Sequence, residues 1–291
     1  MTASLPDARI VVLNYNGEPY LEQCLPSIIE AAARSKAKVR VTVLDNQSQD
    51  ASLQYLQKNL PNVEVVSAPQ NRVLCSYNDY LAQIPEPVAI LLNNDMRVDT
   101  GFIDPLLEKF ASDPGTFMVA PKVMSFDGKQ LEGARTVGKF RWGLFWVSGR
   151  TPGYEKEADL PSETFSSGFG AFSREKFLAL GGYDDRYLPG IFEDIDLSWR
   201  AKQEGMRLYY EPRSVVYHMG QASFKKTFGK SKIADMAWRN HFLFLWKNKP
   251  ARFFWLRHIL FLPLRLVAAF LMGRWEMLRG FSGALTKVGK V

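Results

Sequence analysis

Short apolar runs alternate with amphipathic stretches over the first hundred residues of the chain. Four runs predict buried strands of a parallel sheet, at residues 9–13, 39–44, 63–66 and 88–92. Apolar residues recur at helical spacing between these runs, most clearly over residues 20–29, 53–60 and 74–82. This alternation predicts an α/β fold, with a mostly parallel Rossmann-like sheet, right-handed crossovers and helices on both faces.

The pattern becomes less regular after residue 100. A helix is predicted within residues 101–118, short strands around 117–124, and a segment rich in glycine and serine at 166–171. Two further helices are predicted over 174–180 and 192–204, and two short strands over 207–210 and 214–218. The chain contains no GxGxxG motif after its first strand and no P-loop, which disfavours a dinucleotide-binding fold of that type.

The last 68 residues differ from the rest in charge and hydropathy. Residues 224–291 contain 14 basic and 2 acidic side chains, whereas residues 1–223 contain 23 basic and 28 acidic ones. The apolar stretch 253–267 is interrupted by Arg257, Pro263 and Arg265. A charge at the centre of a membrane-spanning helix costs about 2.5–3.5 kcal/mol. We therefore predict amphipathic helices, broken at Pro263, that lie in the plane of a membrane.

Two other interpretations of residues 224–291 stay open, namely a helical cap on the body and an interface in a homo-oligomer. Binding to nucleic acid is disfavoured, because the segment is too apolar for a surface that follows phosphates. Only two cysteines, Cys24 and Cys75, are present, and the first seven residues lack the pattern of a signal peptide. These features predict a cytoplasmic protein, peripheral on the inner face of the cell membrane.

Polar side chains stand where three of the predicted strands end. Asn93, Asn94 and Asp95 follow the fourth run, while Asn14 and Asp45 follow the first and the second. Ligands of open α/β sheets bind at the carboxyl ends of such strands. Mg²⁺ or Mn²⁺ often uses a single carboxylate together with substrate phosphates and water. A carboxylate after a strand, taken alone, is usually a turn former or a helix cap, but the succession of polar groups at neighbouring strand ends favours a metal and nucleotide site.

Three acidic residues, Glu193, Asp194 and Asp196, stand at the predicted start of the helix at 192–204. Acidic side chains there favour the helix dipole, so capping alone accounts for one or two of them. A carboxylate at the mouth of a site is also suited to act as a general base. His218, at the end of the last predicted strand, is a possible metal ligand or a structural residue.

The order of these motifs resembles glycosyltransferase family 2, whose members are inverting enzymes of the GT-A fold and include rhamnosyltransferases. The motifs are Leu13-Asn14-Tyr15-Asn16, Asp45-Asn46-Gln47-Ser48-Gln49-Asp50, Asn93-Asn94-Asp95, Glu193-Asp194-Ile195-Asp196 and Val216-Tyr217-His218. The resemblance covers residues 9–223. Asn93 replaces the first acid of the usual metal motif, and Arg72-Val73-Leu74-Cys75 departs from the small-residue sequence common at that position.

The resemblance implies a role for each motif. Asp194 would be the catalytic base with Glu193 beside it, and Asp95 and His218 would hold a divalent cation, Mg²⁺ or Mn²⁺. The acceptor side is assigned to Ser167, Gly168 and Trp199. The nucleotide sugar would be bound by Asn14, Tyr15, Asn16, Asp45, Asn71, Asn93 and Asn94.

We predict a metal-dependent inverting glycosyltransferase that uses a UDP, dTDP or GDP sugar and a lipid-linked or oligosaccharide acceptor. Residues 1–223 would form the catalytic domain, with a nucleotide-binding half over about 1–100 and an acceptor half over about 101–223. Residues 224–291 would form the membrane-associating region. The alternatives are a membrane-associated scaffold or inactive homologue that only binds nucleotide, and a nucleotidyltransferase. The latter is disfavoured because the turn after the first strand, Asn14-Tyr15-Asn16-Gly17, contains no Lys or Arg that could grip a phosphate.

Overall fold

The structure is a computed structural model that describes residues 4–220, 222–250 and 252–288, with the backbone alone at 222–227. Parts of two predicted segments lie outside the described residues. They include residues 1–3, in the segment where no signal peptide is predicted, and residues 289–291, at the end of the basic region.

Strands and helices follow the order that the sequence predicts over the first hundred residues. The strands are β1 (Ala8–Asn14), β2 (Val39–Asp45), β3 (Glu64–Ser67), β4 (Val88–Asn93), β5 (Met96–Val98), β6 (Thr116–Ser125), β7 (Leu131–Gly133), β8 (Val137–Arg141), β9 (Leu144–Ser148), β10 (Ser162–Glu163), β11 (Gly170–Ser173) and β12 (Arg207–His218). The helices are α1 (Glu18–Arg34), α2 (Ser52–Asn59), α3 (Ser76–Leu81), α4 (Ile103–Ser112), α5 (Tyr154–Glu157), α6 (Arg174–Ala179), α7 (Glu193–Gln203), α8 (Ala222–Asn248), α9 (Phe254–Leu271) and α10 (Trp275–Val288), with 3₁₀ turns at Val73–Cys75 and Asp185–Tyr187. α8 is interrupted at Gly229, whose backbone is not helical.

One large sheet runs through the body in the order β10-β12-β6-β11-β4-β1-β2-β3. β3, β2, β1 and β4 are mutually parallel, which confirms the predicted α/β alternation. β11 is antiparallel to β4 and to β6, so the sheet becomes mixed in its second half. β5 and β7 pair at its margin with β12 and β6, and β8 and β9 form a separate hairpin.

Both faces of the sheet are covered, which explains why its central strands are largely apolar and do not alternate between apolar and polar residues. All seven residues of β1 are buried. Ile10 and Val12 belong to the core on one face, and Val11 and Leu13 belong to the core on the other. This arrangement is expected for a strand whose successive side chains point to opposite faces, each covered by helices.

The two short strands predicted over 207–210 and 214–218 are one strand, and the prediction of two is wrong. β12 runs beside β6 along its whole length, with an irregularity in register between Glu211 and Val215. Pro212 lies within this irregularity, where the backbone pairing is already interrupted. The polar sequence around Pro212 therefore marks a bulge and not the end of a strand.

The break predicted at Pro263 is also wrong. α9 continues through Pro263 and ends before Gly273, whose positive φ of 67° closes the helix. Proline deprives the carbonyl of Ile259 of its helical partner, and Ile259 lies on the exposed side of α9. An exposed carbonyl can be satisfied by solvent, so the proline does not end the helix there.

The C-terminal helices pack on the body and on one another. α10 lies against α8, and α8 contacts β9 and the 3₁₀ turn at Asp185–Tyr187. A third apolar core joins these helices to the β8–β9 hairpin and to α7. Phe145 of β9 lies at its centre, with ring centroids 5.3 Å from Phe244 and 5.4 Å from Trp199. α8 is thus packed directly behind the helix that begins with Glu193 and Asp194.

Candidate active site

The ends of β1, β2 and β4 meet as predicted and form one polar edge. Asn14 lies opposite Asp45 in the register of the sheet. Its amide donates to Asp45 Oδ1 at 3.0 Å and accepts a hydrogen bond of 2.7 Å from Asn94 Nδ2. Ser48 adds two donors to Asp45, its backbone N–H at 2.9 Å and its hydroxyl at 2.6 Å. The four side chains form a fixed network at the carboxyl edge of the sheet.

Helix α1 begins directly against this network. A Cβ atom placed on Gly17 would lie 1.8 Å from Asn94 Nδ2 and 2.6 Å from Asn14 Oδ1. Only glycine allows the helix start to approach the Asn14–Asn94 pair so closely. The backbone N–H of Gly17 donates to Ser52 Oγ at 3.1 Å, so this turn is held from the second crossover as well.

The other residues predicted for the nucleotide lie on the same edge. Tyr15 is 38% exposed, and Asn16 has a positive φ of 49° and accepts a hydrogen bond from the N–H of Gln49. Asn93 is the last residue of β4. Asn71 caps its own loop by accepting from the N–H of Val73 at 3.0 Å. Their contacts with a nucleotide sugar stay predictions.

Asp95 and His218 come together although 123 positions separate them in the chain. β12 pairs with β5, which places His218 opposite Met96. His218 Nε2 lies 3.4 Å from Asp95 Oδ2, and its Nδ1 lies 3.7 Å from a carboxylate oxygen of Glu132. Burial lowers the pKa of His218, but its contacts with Asp95 and Glu132 outweigh burial and raise it. Glu132, on β7, had not been singled out in the sequence, because its position depends on the pairing of β7 with β6.

The residues around Asp95 suit a hard divalent cation. Asp95 is buried, and its Oδ1 has no hydrogen-bond partner, so one carboxylate oxygen is available to a ligand. Carboxylate oxygen and imidazole nitrogen are both accepted by Mn²⁺. Among the described residues, no group of three or more His, Cys, Asp or Glu side chains is arranged to hold a metal ion. A cation here would need substrate oxygens and water to complete its coordination.

Glu193 and Asp194 open α7 as the sequence predicts, and Glu193 is buried while Asp194 is partly exposed. Burial raises the pKa of Glu193, and the neighbouring Asp194 raises it further. Burial likewise raises the pKa of Asp194, against the hydrogen bond from the N–H of Ile195. Glu193 Oε2 is buried without a partner. Two adjacent carboxyl groups with raised pKa values are characteristic of a site that moves a proton near neutral pH.

Asp196, the third acid of the motif, has a structural role. It is fully buried and accepts hydrogen bonds from four donors. The donors are Tyr187 Oη at 2.9 Å, Arg200 Nε at 2.8 Å, Lys247 Nζ at 2.8 Å and Asn248 Nδ2 at 2.7 Å. Asp196 therefore fastens the start of α7 to the end of α8, a contact that spacing in the sequence did not predict.

The glycine- and serine-rich segment joins the two sides of the site. A Cβ atom on Gly168 would lie 3.8 Å from Asp194 Oδ2, and the ring of Phe169 lies 6.3 Å from that of His218. Ser167 donates to the carbonyl of Phe169 at 2.6 Å. Gly168 thus stands next to the predicted base. Trp199 packs against Phe145 and Phe244 in the aromatic core, and its assignment to the acceptor stays a prediction.

The sequence profile of Glycosyl transferase family 2 matches residues 9–181 of the chain. The chain belongs to glycosyl transferase family 2. The profile covers the polar edge, Asp95 and the segment at Ser167 and Gly168, and it ends before Glu193. The predicted identity as a family 2 glycosyltransferase is confirmed, while the roles of Asp194 and His218 stay predictions.

Characterised relatives act on different acceptors. The glycosyltransferase is 28% identical over 242 residues to an N-acetylglucosaminyl-diphospho-decaprenol L-rhamnosyltransferase of Mycobacterium tuberculosis, and the match covers 75% of this chain and 76% of that protein. It is 26% identical over 247 residues to polypeptide N-acetylgalactosaminyltransferase 6 of Mus musculus, covering 78% of this chain and 39% of the relative.

Solved structures of glycosyltransferases share the fold. The mannosyltransferase PcManGT from Pyrobaculum calidifontis, in complex with GDP-Man and Mn²⁺, superimposes with a TM-score of 0.58 at 16% identity, covering 98% of this chain and 76% of that one. GalNAc-T7 with UDP, GalNAc and Mn²⁺ gives a TM-score of 0.57 at 19% identity, covering 74% of this chain and 43% of that one. The predicted GT-A fold is confirmed.

Proposed function

We propose that this glycosyltransferase moves a hexosyl or deoxyhexosyl unit from a nucleotide-diphosphate sugar of UDP, dTDP or GDP type to a hydroxyl of a lipid-linked saccharide. The transfer would invert the anomeric configuration and serve the synthesis of a cell-surface polysaccharide. The match to the mycobacterial rhamnosyltransferase supports an acceptor of this class, since it covers three quarters of both proteins.

One observation carries the proposal. The Ser167–Phe169 segment brings a buried carboxyl pair, Glu193 and Asp194, next to the edge of the sheet that holds Asp95 and His218. An acid–base group on one side and a phosphate-binding edge on the other are what sugar transfer from a diphosphate requires. A nucleotide-binding scaffold has no need of a carboxyl pair whose pKa values are raised by burial.

In the proposed reaction Asp194 accepts the proton of the acceptor hydroxyl. The resulting oxygen forms a bond to the anomeric carbon, while the bond from that carbon to the diphosphate breaks and its electron pair leaves with the diphosphate. Two adjacent carboxylates repel each other, so the proposal places a single negative charge on the partly exposed Asp194 and leaves the buried Glu193 protonated. Attack opposite the leaving group inverts the configuration in one step.

Asp95 and His218 are the residues that would hold a divalent cation, Mg²⁺ or Mn²⁺. Such a cation offsets the negative charge that develops on a leaving diphosphate. The unpartnered Oδ1 of Asp95 supports this assignment. The network of Asn14, Asp45 and Asn94 would orient the nucleoside, because it is rigid and lies along the same edge.

The catalytic domain in this proposal is residues 1–223, with its nucleotide-binding half ending near residue 100, and residues 224–291 associate with the membrane. Within the described residues, α9 is long and apolar enough to span a bilayer, and only 17% of its residues are buried in the protein. Its inner side nevertheless packs on the protein through Phe254, His258 and Ala269. Trp246 Nε1 donates to His258 at 3.0 Å, a contact that insertion across the bilayer would break.

The outer side of α9 supports a position in the plane of the membrane. Leu256, Leu260 and Leu264 are 70%, 60% and 64% exposed and stand one turn apart. Trp142, at the tip of the β8–β9 hairpin, packs on Phe261 and is itself 56% exposed. Exposed aromatic and aliphatic side chains, together with the basic residues of 224–291, fit the headgroup region of an anionic bilayer. The protein would then lie on the cytoplasmic face of the cell membrane, where a lipid-linked acceptor is also anchored.

The proposed function is tested by measuring the transfer of sugar to an acceptor. Purified full-length protein is given Mn²⁺, a panel of UDP, dTDP and GDP sugars, and a short-chain N-acetylglucosaminyl-diphospho-polyprenol. Extension of the acceptor, with an anomeric configuration opposite to that of the donor, is the expected result. Release of sugar 1-phosphate, with the nucleoside monophosphate group passing to pyrophosphate or another acceptor, would indicate nucleotidyl transfer instead. Binding of nucleotide without extension of any acceptor would favour the scaffold.

A further inference from the structure

The loop that precedes Glu193 and Asp194 has a strained backbone. Gly190, Ile191 and Phe192 follow one another with positive φ angles of 148°, 74° and 84°. A β-branched residue such as Ile191 rarely adopts this conformation, and it persists only when the surroundings hold it in place. Phe192 is the residue directly before α7, and its carbonyl accepts the first helical hydrogen bond, from the N–H of Asp196. The conformation of this loop therefore decides where the acidic pair stands.

One side chain of α8 is hydrogen-bonded to several carbonyl groups in and before this loop. Asn240 is fully buried, and its Nδ2 lies 2.7 Å from the carbonyl of Tyr187, 2.7 Å from that of Gly190 and 2.8 Å from that of Ile191. Its Oδ1 accepts a hydrogen bond of 2.9 Å from Arg239 Nε. Three carbonyl oxygens require a donor and the guanidinium requires an acceptor, so the amide of Asn240 has one orientation only.

Residues on either side of Asn240 hold the same loop. Arg239 Nη2 donates to the carbonyl of Leu188 at 2.7 Å. The ring of His241 stacks on that of Phe192, with centroids 5.0 Å apart, and His241 Nε2 accepts from the N–H of Phe145 at 3.3 Å. These contacts with the loop are thus concentrated in one turn of α8. The same helix packs against α10.

We infer that Asn240 is a positioning residue of the transfer reaction, which holds the Gly190–Phe192 loop so that Asp194 faces the acceptor hydroxyl. The inference rests on the proposed function for the reaction, but the contact between Asn240 and the loop does not. Asn240 touches neither the polar edge at Asn14 and Asp45 nor Asp95. Its loss should therefore lower kcat and leave the binding of nucleotide and the KM for the donor unchanged.

The experiment compares Asn240→Asp with Phe242→Leu. Ionised aspartate has the shape of asparagine but offers no donor, and it sets a carboxylate oxygen against the three carbonyls. Phe242 is equally buried on α8 and packs mainly on Trp246 and Phe281. Its ring lies 6.5 Å from that of His241, but its side chain makes no hydrogen bond, so its replacement loosens the packing of the C-terminal helices and leaves the three bonds of Asn240 in place. Each protein is measured for kcat, for donor KM, for the Kd of UDP, dTDP and GDP with Mn²⁺, and for hydrogen exchange over residues 187–195.

For Asn240→Asp we expect kcat to fall about 100-fold, the loss typical of a reacting group displaced by about 1 Å. Exchange over residues 187–195 should rise, with nucleotide Kd and donor KM unchanged. Phe242→Leu should lower the melting temperature and keep a kcat close to that of the wild type. An unchanged kcat in Asn240→Asp, an equal loss of kcat in Phe242→Leu, or a loss that appears in donor KM would overturn the inference.

The two proposals fail in different ways. If the wild-type protein extends no acceptor, the proposed function is wrong, and hydrogen exchange alone then decides whether Asn240 holds the loop. If the wild-type protein is active and exchange over residues 187–195 is the same in Asn240→Asp, the positioning role is wrong while the function stands.

Discussion

Lys247, in the last turn of α8, donates a hydrogen bond of 2.8 Å to Asp196, two residues after Asp194. The same ammonium group donates to Asp184 at 2.7 Å. Burial raises the pKa of Asp184, but Lys247 and the N–H of Arg186 outweigh burial and lower it. The region predicted from sequence to meet the membrane is therefore also bonded to the helix that carries the predicted base.

Removal of this contact should destabilise the fold. Asp196→Ala leaves buried donors on Tyr187 and Arg200 without their acceptor, and we expect it to reduce the free energy of unfolding by about 3 kcal/mol. Lys247→Met leaves Asp196 with its three other donors and should cost about 2 kcal/mol. Urea denaturation of the purified variants measures both.

The control for this pair is Lys122→Met. Lys122 pairs with Asp159, whose side chain is 80% exposed, so the change should cost less than about 1 kcal/mol. A loss for Lys247→Met no larger than that of Lys122→Met would contradict a stabilising contact between α7 and α8.

Asp194→Asn should reduce transfer by about 10²–10⁴-fold, the usual contribution of a general base. The Kd of nucleotide with Mn²⁺, measured by calorimetry, should stay unchanged because Asp194 lies outside the polar edge. Glu193→Gln keeps the shape and the neutral character of a protonated Glu193, so its effect on kcat should be much smaller. Equal losses in the two variants would argue against Asp194 as the single base.

The pH dependence follows from burial of this pair. Burial raises both pKa values above the ordinary carboxyl values near 4, so kcat/KM should rise with pH through a range above that of a free carboxyl group. The folded protein binds these protons more tightly than the unfolded chain. The corresponding stability is complete below about pH 4 and is lost as pH rises through the folded pKa values.

Glu193→Gln removes one of these titrations, and its effect on stability therefore has a definite sign. Its free energy of unfolding should exceed that of the wild type by an amount that grows as pH increases from 5 to about 8. Urea midpoints at several pH values test this, and a difference that shrinks with rising pH would be inconsistent with a raised pKa at Glu193.

Asp95 is the chief protein ligand in the proposed cation site, since Asn93 carries no charge. Asp95→Asn should abolish detectable Mn²⁺ binding in the presence of UDP, as measured by electron paramagnetic resonance. Glu132→Gln should weaken Mn²⁺ binding by about 10–100-fold, the usual effect of removing a partner that orients a metal-binding histidine. Mn²⁺ affinity that is insensitive to Asp95→Asn would remove this site from the proposal.

Membrane binding is best tested on the surface of α9. Deletion of residues 224–291 would also remove Asn240 and Lys247, so it confounds binding with support of the catalytic loop. Leu256, Leu260 and Leu264 changed together to Glu should weaken sedimentation with phosphatidylglycerol-containing vesicles by about 100-fold or more, because three exposed leucines can no longer insert. Leu160→Glu, at a leucine 58% exposed on the body, is the matched control and should bind as the wild type does.

The sequence accounts for the parts of the protein that depend on local pattern. Apolar runs of strand length, separated by helical periodicity, determine the parallel half of the sheet, and the polar residues at the run ends determine which edge carries Asn14, Asp45 and Asp95. Both are short-range properties, because the periodicity of a strand or helix and the position of a strand end depend on only a few neighbouring residues.

The tertiary structure decided what depends on residues far apart in the chain. It paired Asp95 with His218 and added Glu132, since only strand pairing brings β5, β7 and β12 together. It showed that Asp196, the third acid of the motif, accepts a hydrogen bond from Lys247. It also showed that Asn240 is hydrogen-bonded to the loop before Glu193. Such contacts join residues more than 40 positions apart, so local periodicity in the sequence does not predict them. The sequence alone determined where acidic groups and apolar faces occur; packing decided which acids lie at the proposed site and which hold the fold together.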